Sequence, residues 1–367
     1  MDELINRMNT MCSESPFQSG WYLKNLQTNE SANYYGDVVV PSASTRKIAI
    51  LMNAMKWIHE GKLSLDQPIR IDETNQYVGN SSGCFQYLRP GFTVQLYDVL
   101  TMMIIVSDNT STGIVANLLG LDSINEFSQS IGMIGTTHRH KLPPLDLSID
   151  HSLDYTNSTT PNDVGLILEL ILLGTNDEKV ANKLGSSKEL CQIALDILLN
   201  QKLNNKLPAL LPKGTKVAHK TGTGARNYND AGIIFLEDSP LFILTVFTEN
   251  VPTSLADGRA GHGVACDLVA RLSSEAYNYF INLMLLLIVI ILNLISLILL
   301  SLDKRYAIYN QRRVPEKYFY LLALAGGWLL GILTIYTLKH KNRKRSFLFK
   351  YYGASIISLG MYLGFIL

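Results

Sequence analysis

The sequence predicts a two-part α/β domain, an antiparallel sheet flanked by helices together with an all-α domain, followed by a helical transmembrane domain. Three observations lead there. Short extended segments open the chain, helical periodicity fills its middle, and β-branched and aromatic runs return after residue 215. The composition then switches abruptly to uncharged apolar sequence at residue 281.

The extended segments are "SGWYLKNLQ" and "DVVV", the second ending at Pro41. Next, Ile48, Leu51, Met52, Met55 and Ile58 recur at three and four residues and mark one apolar helix face, with Ser44 and Lys47 at its head. Residues 50–215 read as mostly helical, broken by turn-rich pieces such as "VGNSSG" and "YLRPGF". "DAGIIFL" and "LFILTVFT", joined by "EDSP", read as an antiparallel hairpin in a sheet covered on at least one face. Gly263–Phe280 is an amphipathic helix. The expected first domain is therefore 17–280, its α/β part contributed by about 17–50 and 215–280 and its helical part by about 50–215.

Residues 281–302 carry no charge over 22 positions, enough to cross a hydrocarbon core of about 30 Å. Further uncharged stretches cover 318–338 and 351–367, so an integral-membrane domain is expected over 281–367. The intervening segments "DKRYAIYNQRRVPEK" and "KHKNRKRSF" each hold five Lys/Arg, so charge asymmetry does not set orientation. The middle stretch contains "AGGWLLG", whose glycines suit a kinked or re-entrant segment. The flanking charges read as interfacial anchors or as a lipid-headgroup site. The expected location is the cell membrane, with membrane lipid as one partner. Which side carries the N-terminal domain is left open: "MDELINRMNTMCSESP" does not read as a secretory signal, yet few Lys/Arg precede the first span.

Composition excludes several classes. A net charge of +1, with no basic stripe before residue 300, argues against a nucleic-acid partner. Cys12, Cys84, Cys191 and Cys266 are scattered and read as buried free thiols. "HRH", residues 138–140, lacks a partner at ligand spacing and reads as a solvated loop.

Three short motifs carry chemistry. In "PSASTRK", Ser44 and Lys47 sit one helical turn apart, which suits either a nucleophile with its base or an N-capping serine with a snorkelling lysine. In "MMIIVSDNTSTG", Ser107, Asp108 and Asn109 interrupt an apolar run, either as site residues or as the cap of the next helix. "VAHKTGTG" places Lys220, Thr221, Gly222 and Thr223 at a strand edge where glycines admit another backbone.

Ser-x-x-Lys, Ser-Asp-Asn and Lys-Thr-Gly in that order form the signature of class A β-lactamases and penicillin-binding proteins. With "EGKLSLDQPI" and "NSTTPNDV", the chain resembles the class A β-lactamase family over about residues 17–280. The resemblance implies a β-lactamase/transpeptidase-like fold and an acyl-enzyme mechanism without a cofactor. It implies that Ser44 is the nucleophile, that Lys47 takes its proton, and that Ser107 relays a proton to the leaving nitrogen. It further implies that Lys220, Thr221 and Thr223 hold the substrate carboxylate and that Asn109 orients substrate and Lys47. Gly222 belongs to the implied substrate-binding set, and backbone N–H groups of Ser44 and Thr223 would form the oxyanion hole. The tail, with "DKRYAIYNQRRVPE" and "KHKNRKRSF", resembles a small bacterial integral-membrane family of unknown function.

One family feature is missing. The resemblance calls for a glutamate near Pro143 or Pro144 to activate the deacylating water, yet no glutamate occurs between Glu126 and Glu169. Asp146, Asp150 and Asp154 are the nearest acids and are either a substitute base or solvated loop residues. Three functions follow: a hydrolase of β-lactams; a penicillin-binding relative that cleaves another amide or ester, such as a peptidoglycan peptide, and deacylates slowly; or a β-lactam sensor coupled to the membrane part.

Overall fold

The chain begins with a helix rather than an extended segment: α1 (Asp2–Ser13) buries Leu4, Met8 and Cys12 along one face. The computed structural model describes residues 1–77, 82–142, 144 and 151–366, with side chains to Tyr362, and divides into units Met1–Tyr277 and Asn278–Leu367.

In the first unit α1 leads to β1 (Gln18–Asn25), β2 (Ser31–Tyr34) and β3 (Val40–Pro41), then a 3₁₀ turn, Ala43–Arg46, that runs into α2 (Lys47–His59). After α2 come β4 (Pro68–Ile71), β5 (Phe92–Gln95), α3 (Leu96–Ile105), α4 (Asn109–Leu119), α5 (Leu121–Ile131) and β6 (Ser158–Thr159). Three helices, α6 (Pro161–Gly174), α7 (Glu178–Lys183) and α8 (Lys188–Leu199), precede β7 (Val217–Thr223), β8 (Tyr228–Leu236) and β9 (Ser239–Glu249). The last helix of this unit is the start of α9 (Gly261–Ile308).

The strands pair antiparallel in the order β2-β1-β9-β8-β7, so the N-terminal hairpin completes a sheet whose other strands come from the far end of the unit. The expected hairpin is β8–β9, and it is buried along nearly its whole length. Two covered faces explain the unbroken apolar runs. Ala231, Ile233, Phe235, Ile243 and Phe247 join the core shared with α2, α6 and α8, whereas the alternating Ile234, Phe242, Leu244 and Val246 are buried on the opposite face. That second face explains α1, which is tied to α9 by Arg7 Nε and Glu275 at 2.9 Å.

Helix α2 is buried from Lys47 to Met55 without interruption, as expected for a helix that is apolar nearly all round. It is the axle of the domain. Local caps fix its neighbours: Asp108 Oδ1 accepts from Ser111 N at the head of α4, and Thr160 Oγ1 accepts from Asp163 N with Pro161 at the first turn of α6.

In the second unit the rest of α9 is followed by α10 (Glu316–Leu324), α11 (Trp328–Thr337) and α12 (Arg345–Ile366). Among the described residues α9 alone is long and apolar enough to cross a membrane. The stretch 318–338 is not one helix but two, broken at Ala325–Gly327, where Gly326 has φ +117° and a Cβ on Gly327 would lie 2.6 Å from Leu292 O. Asn293 repairs the break by donating to Gly326 O at 2.8 Å and accepting from Leu330 N at 2.9 Å. The tail charges are not all interfacial anchors. Asp303 is buried and accepts from Arg313 and His340, each at 2.8 Å, with Lys341 at 3.3 Å, and Glu316 binds Lys341 and Lys344.

Two other readings of the first unit need correction. His138 is buried rather than solvated, because it packs under Arg46 while its backbone N–H donates to Asn125 Oδ1 and its carbonyl accepts from Asn125 Nδ2. All four cysteines are free, but only Cys12 and Cys191 are buried; Cys84 is exposed and Cys266 half-buried.

Candidate active site

Ser44 lies in the 3₁₀ turn before α2, where three residues per turn place residue 47 almost directly above residue 44. The turn is tightly held. Ser42 N donates to Asn157 O at 2.9 Å, Thr45 Oγ1 donates to Ser42 O at 2.6 Å, and Ala43 adopts φ +44°, strained for a residue with a Cβ. Gly222 of β7 faces it: a Cβ there would stand 3.1 Å from both Ser44 N and Ala43 Cβ. Only a glycine lets the strand edge approach the serine this closely.

Lys47 is buried and donates to Ser107 O at 2.7 Å, Ser107 Oγ at 3.1 Å and Asn109 Oδ1 at 2.9 Å. The three bonds gather the first two motifs into one cluster. Ser107 holds φ +58°, which turns its carbonyl and hydroxyl toward the same ammonium. Both readings of this motif apply together, since Asp108 caps α4 and also accepts from Cys84 N and Phe85 N. Burial, then the charges of Lys220 and Arg46, hold the Lys47 pKa well below its ordinary value against the opposing pull of Asp108.

The third motif supplies more positive charge. Lys220 is fully buried and donates to Thr221 O at 2.6 Å, and burial brings its pKa down to about 7. A residue the sequence did not flag, Lys206, is buried beside it. It donates to Thr221 Oγ1, to Gly222 O at 3.1 Å and to Thr223 Oγ1 at 3.1 Å. Asp230 of β8, also unflagged, balances these cations from a fully buried position. It accepts from His219 Nδ1 at 2.9 Å and from Leu207 N at 3.1 Å, and although burial raises its pKa, His219 and Lys206 bring it below the ordinary range.

Ser44, Lys47, Ser107, Asn109, Thr221 and Thr223 line one cleft of about 680 Å³, with Arg46, Pro144 and His151 among its other wall residues, whereas Lys220 and Gly222 lie behind that lining rather than in it. Asp154 does not approach it by contact: it is exposed and accepts from Ser152. Asp146, Asp150 and Pro143 lie outside the described residues.

Comparison with known proteins matches the β-lactamase enzyme family over residues 3–280 and a protein family of unknown function, DUF1294, over residues 293–347. Similar relatives include β-lactamase VEB-1 of Pseudomonas aeruginosa, 24% identical over 77% of this chain and 91% of that protein. A β-lactamase of Bacteroides uniformis is 25% identical over 76% of this chain and 91% of its own. Among solved structures, PBP-A is 26% identical with a TM-score of 0.64 over 77% of this chain and 97% of its own. An ancestral class A β-lactamase is 22% identical with a TM-score of 0.65 over 75% and 99%, a likeness of fold.

Proposed function

This chain belongs to the β-lactamase enzyme family, and from that premise we propose that it is a hydrolase of the class A type that opens β-lactams through an acyl-enzyme on Ser44. The observation that carries the reading is the Lys47 amine bonded to Ser107 and Asn109 inside the cleft that Ser44 lines.

In this mechanism Ser44 Oγ attacks the lactam carbonyl carbon while its proton passes to Lys47, which burial and neighbouring cations favour as a free amine. The ring C–N bond breaks and its nitrogen takes a proton through Ser107 Oγ. Lys220, with Thr221 and Thr223, holds the substrate carboxylate, and Asn109 orients its amide. Backbone N–H groups of Ser44 and Thr223 take the oxyanion, each worth about 3 kcal/mol in the transition state. Water then cleaves the ester and restores Ser44.

Deacylation is the slow step. No glutamate stands between Glu126 and Glu169, and the described part of the cleft wall contributed by that segment, Pro144, His151, Thr156 and Asn157, holds no carboxylate. Losing a positioned base typically costs about 10²- to 10⁴-fold. A similar solved structure, a point mutant of PBP-A that is 25% identical with a TM-score of 0.64, is described as an acyl-enzyme complex with penicillin G. That favours a penicillin-binding or peptide-cleaving relative as the second reading. The tail is proposed to hold the domain at the membrane through spans at about 281–302 and 351–367 and the broken apolar stretch 318–338, with lipid as its partner; the length and apolarity of α9 support the first of these.

Intact-protein mass spectrometry after brief and long exposure to penicillin, with Ser44→Ala alongside, tests both readings. An adduct on the wild type that persists for many minutes is expected. One that vanishes within seconds would remove the slow step, and no adduct at all would remove Ser44 as the nucleophile for β-lactams.

A further inference from the structure

Between Ser44 and Lys47 stands a charged group that the motif does not require. Arg46 is buried, 4% exposed, and forms part of the cleft wall. Among the described residues no carboxylate is paired with it. Its Nη2 donates to Lys141 O at 2.5 Å, and its Nη1 lies 3.5 Å from His138 Nδ1. An isolated buried cation is unfavourable by several kcal/mol even after relaxation, so a guanidinium without a counter-ion needs a structural return.

Two returns are visible. The fork fastens segment 138–141 to the nucleophile turn, and that segment leads to Pro144 on the cleft wall. His138 is a suitable neighbour because it stays neutral: burial, then the Arg46 charge, brings its pKa to about 3, so it faces the guanidinium as an acceptor. The second return is electrostatic. The groups facing Lys47 are Lys220 from β7, Arg46 from its own turn, Asp108 as the opposing anion, and the neutral acceptors of Ser107 and Asn109.

We propose that Arg46 is a positioning residue of this site, a buried charge next to Lys47 whose fork holds segment 138–141 against the Ser44 turn. The proposal rests on the reading of Ser44 and Lys47 as nucleophile and base.

The test uses the full-length protein in detergent with [6-¹³C]lysine, Lys47 being assigned through Lys47→Arg. Two quantities are read against pH: the Lys47 resonance, and the rate at which a fluorescent penicillin labels Ser44. Arg46→Gln removes the charge and keeps a donor; Arg46→Lys keeps the charge and loses the fork. Arg46→Gln is expected to move the Lys47 midpoint up by about one pH unit. The acid limb of labelling should move with it, a roughly tenfold loss of rate on that limb. Arg46→Lys should leave the midpoint in place and lower only the plateau. An unmoved midpoint in Arg46→Gln, or an equal shift in both variants, overturns the proposal. Absence of labelling in the wild type overturns the functional reading instead, and the resonance still decides what Arg46 does to Lys47.

Discussion

Replacing Asp230 by Asn tests whether the buried cations of the third motif depend on one carboxylate. Asp230 is fully buried and accepts from His219, Leu207 N and Ala231 N, and it is the anion that opposes the lowering of both Lys206 and Lys220. Asn keeps the shape but removes the charge and turns one acceptor into a donor. Breaking a buried ion pair from one side typically destabilises by about 3–5 kcal/mol, which for a domain of this size lowers Tm by on the order of 10 °C. The second effect is on protonation. Lys220 has a folded pKa of about 7 against an ordinary 10.5, so the unfolded chain binds the extra proton between those values and stability rises with pH across that window. Losing Asp230 extends the window to lower pH. A further drop of about one unit would cut the protonated fraction of Lys220 at pH 7 from about half to about a tenth, a roughly fivefold weaker grip on a carboxylate. The assay is thermal unfolding by circular dichroism together with penicillin labelling from about pH 5.5 to 8.5. A Tm within 2 °C of wild type, or weakened labelling that is not recovered at low pH, would refute the reasoning.

Lys206→Met should move the basic limb of labelling to higher pH, because Lys206 is one of the charges holding Lys220 down, while the plateau falls about tenfold as Thr221 and Thr223 lose their donor; the pH–rate profile checks both. Gly222→Ala should slow Ser44 labelling at least tenfold and cost about 1–3 kcal/mol in chemical denaturation, since its Cβ meets Ser44 N and Ala43 at 3.1 Å. His138 titrates at about 3 in the folded chain, so the unfolded state takes the proton first and stability is lost as pH falls from about 6.5. The loss by pH 5 is about 2 kcal/mol, and His138→Gln should flatten that part of the Tm–pH curve.

Much of this was legible where local pattern and burial agree. The β8–β9 hairpin followed from consecutive β-branched residues, and the break at 325–327 from glycines inside an apolar run. Helix α1 was not legible: Leu4, Met8 and Cys12 stand four apart, but Asn, Thr and Ser around them blur the stripe, and only the second face of the sheet makes it worth burying. The site shows the same division. Ser44, Lys47, Ser107, Asn109 and Lys220 belong to contiguous motifs, whereas Lys206 and Asp230 stand alone in sequence and acquire meaning only from the strands that bring them together. His138 misled for a related reason, because an imidazole next to a charged residue looks solvated until Arg46 is seen to cover it.

The charges of the cleft form a consistent whole. Arg46, Lys47, Lys206 and Lys220 are all buried around it, and among the described residues the buried carboxylates nearby, Asp108 and Asp230, are engaged by backbone or imidazole donors behind the wall. Such a field attracts an anionic substrate and favours the unprotonated state of whichever amine is most crowded, which is Lys47. Both effects serve acylation. Neither effect activates water, and among the described residues the cleft wall beyond Pro144 holds His151 but no carboxylate, so the electrostatics that drive Ser44 toward the acyl-enzyme do not drive it away again. The same argument makes a carboxylate near Pro144 doubly consequential: it would activate water, and it would also raise the proton affinity of Lys47 and slow the first step.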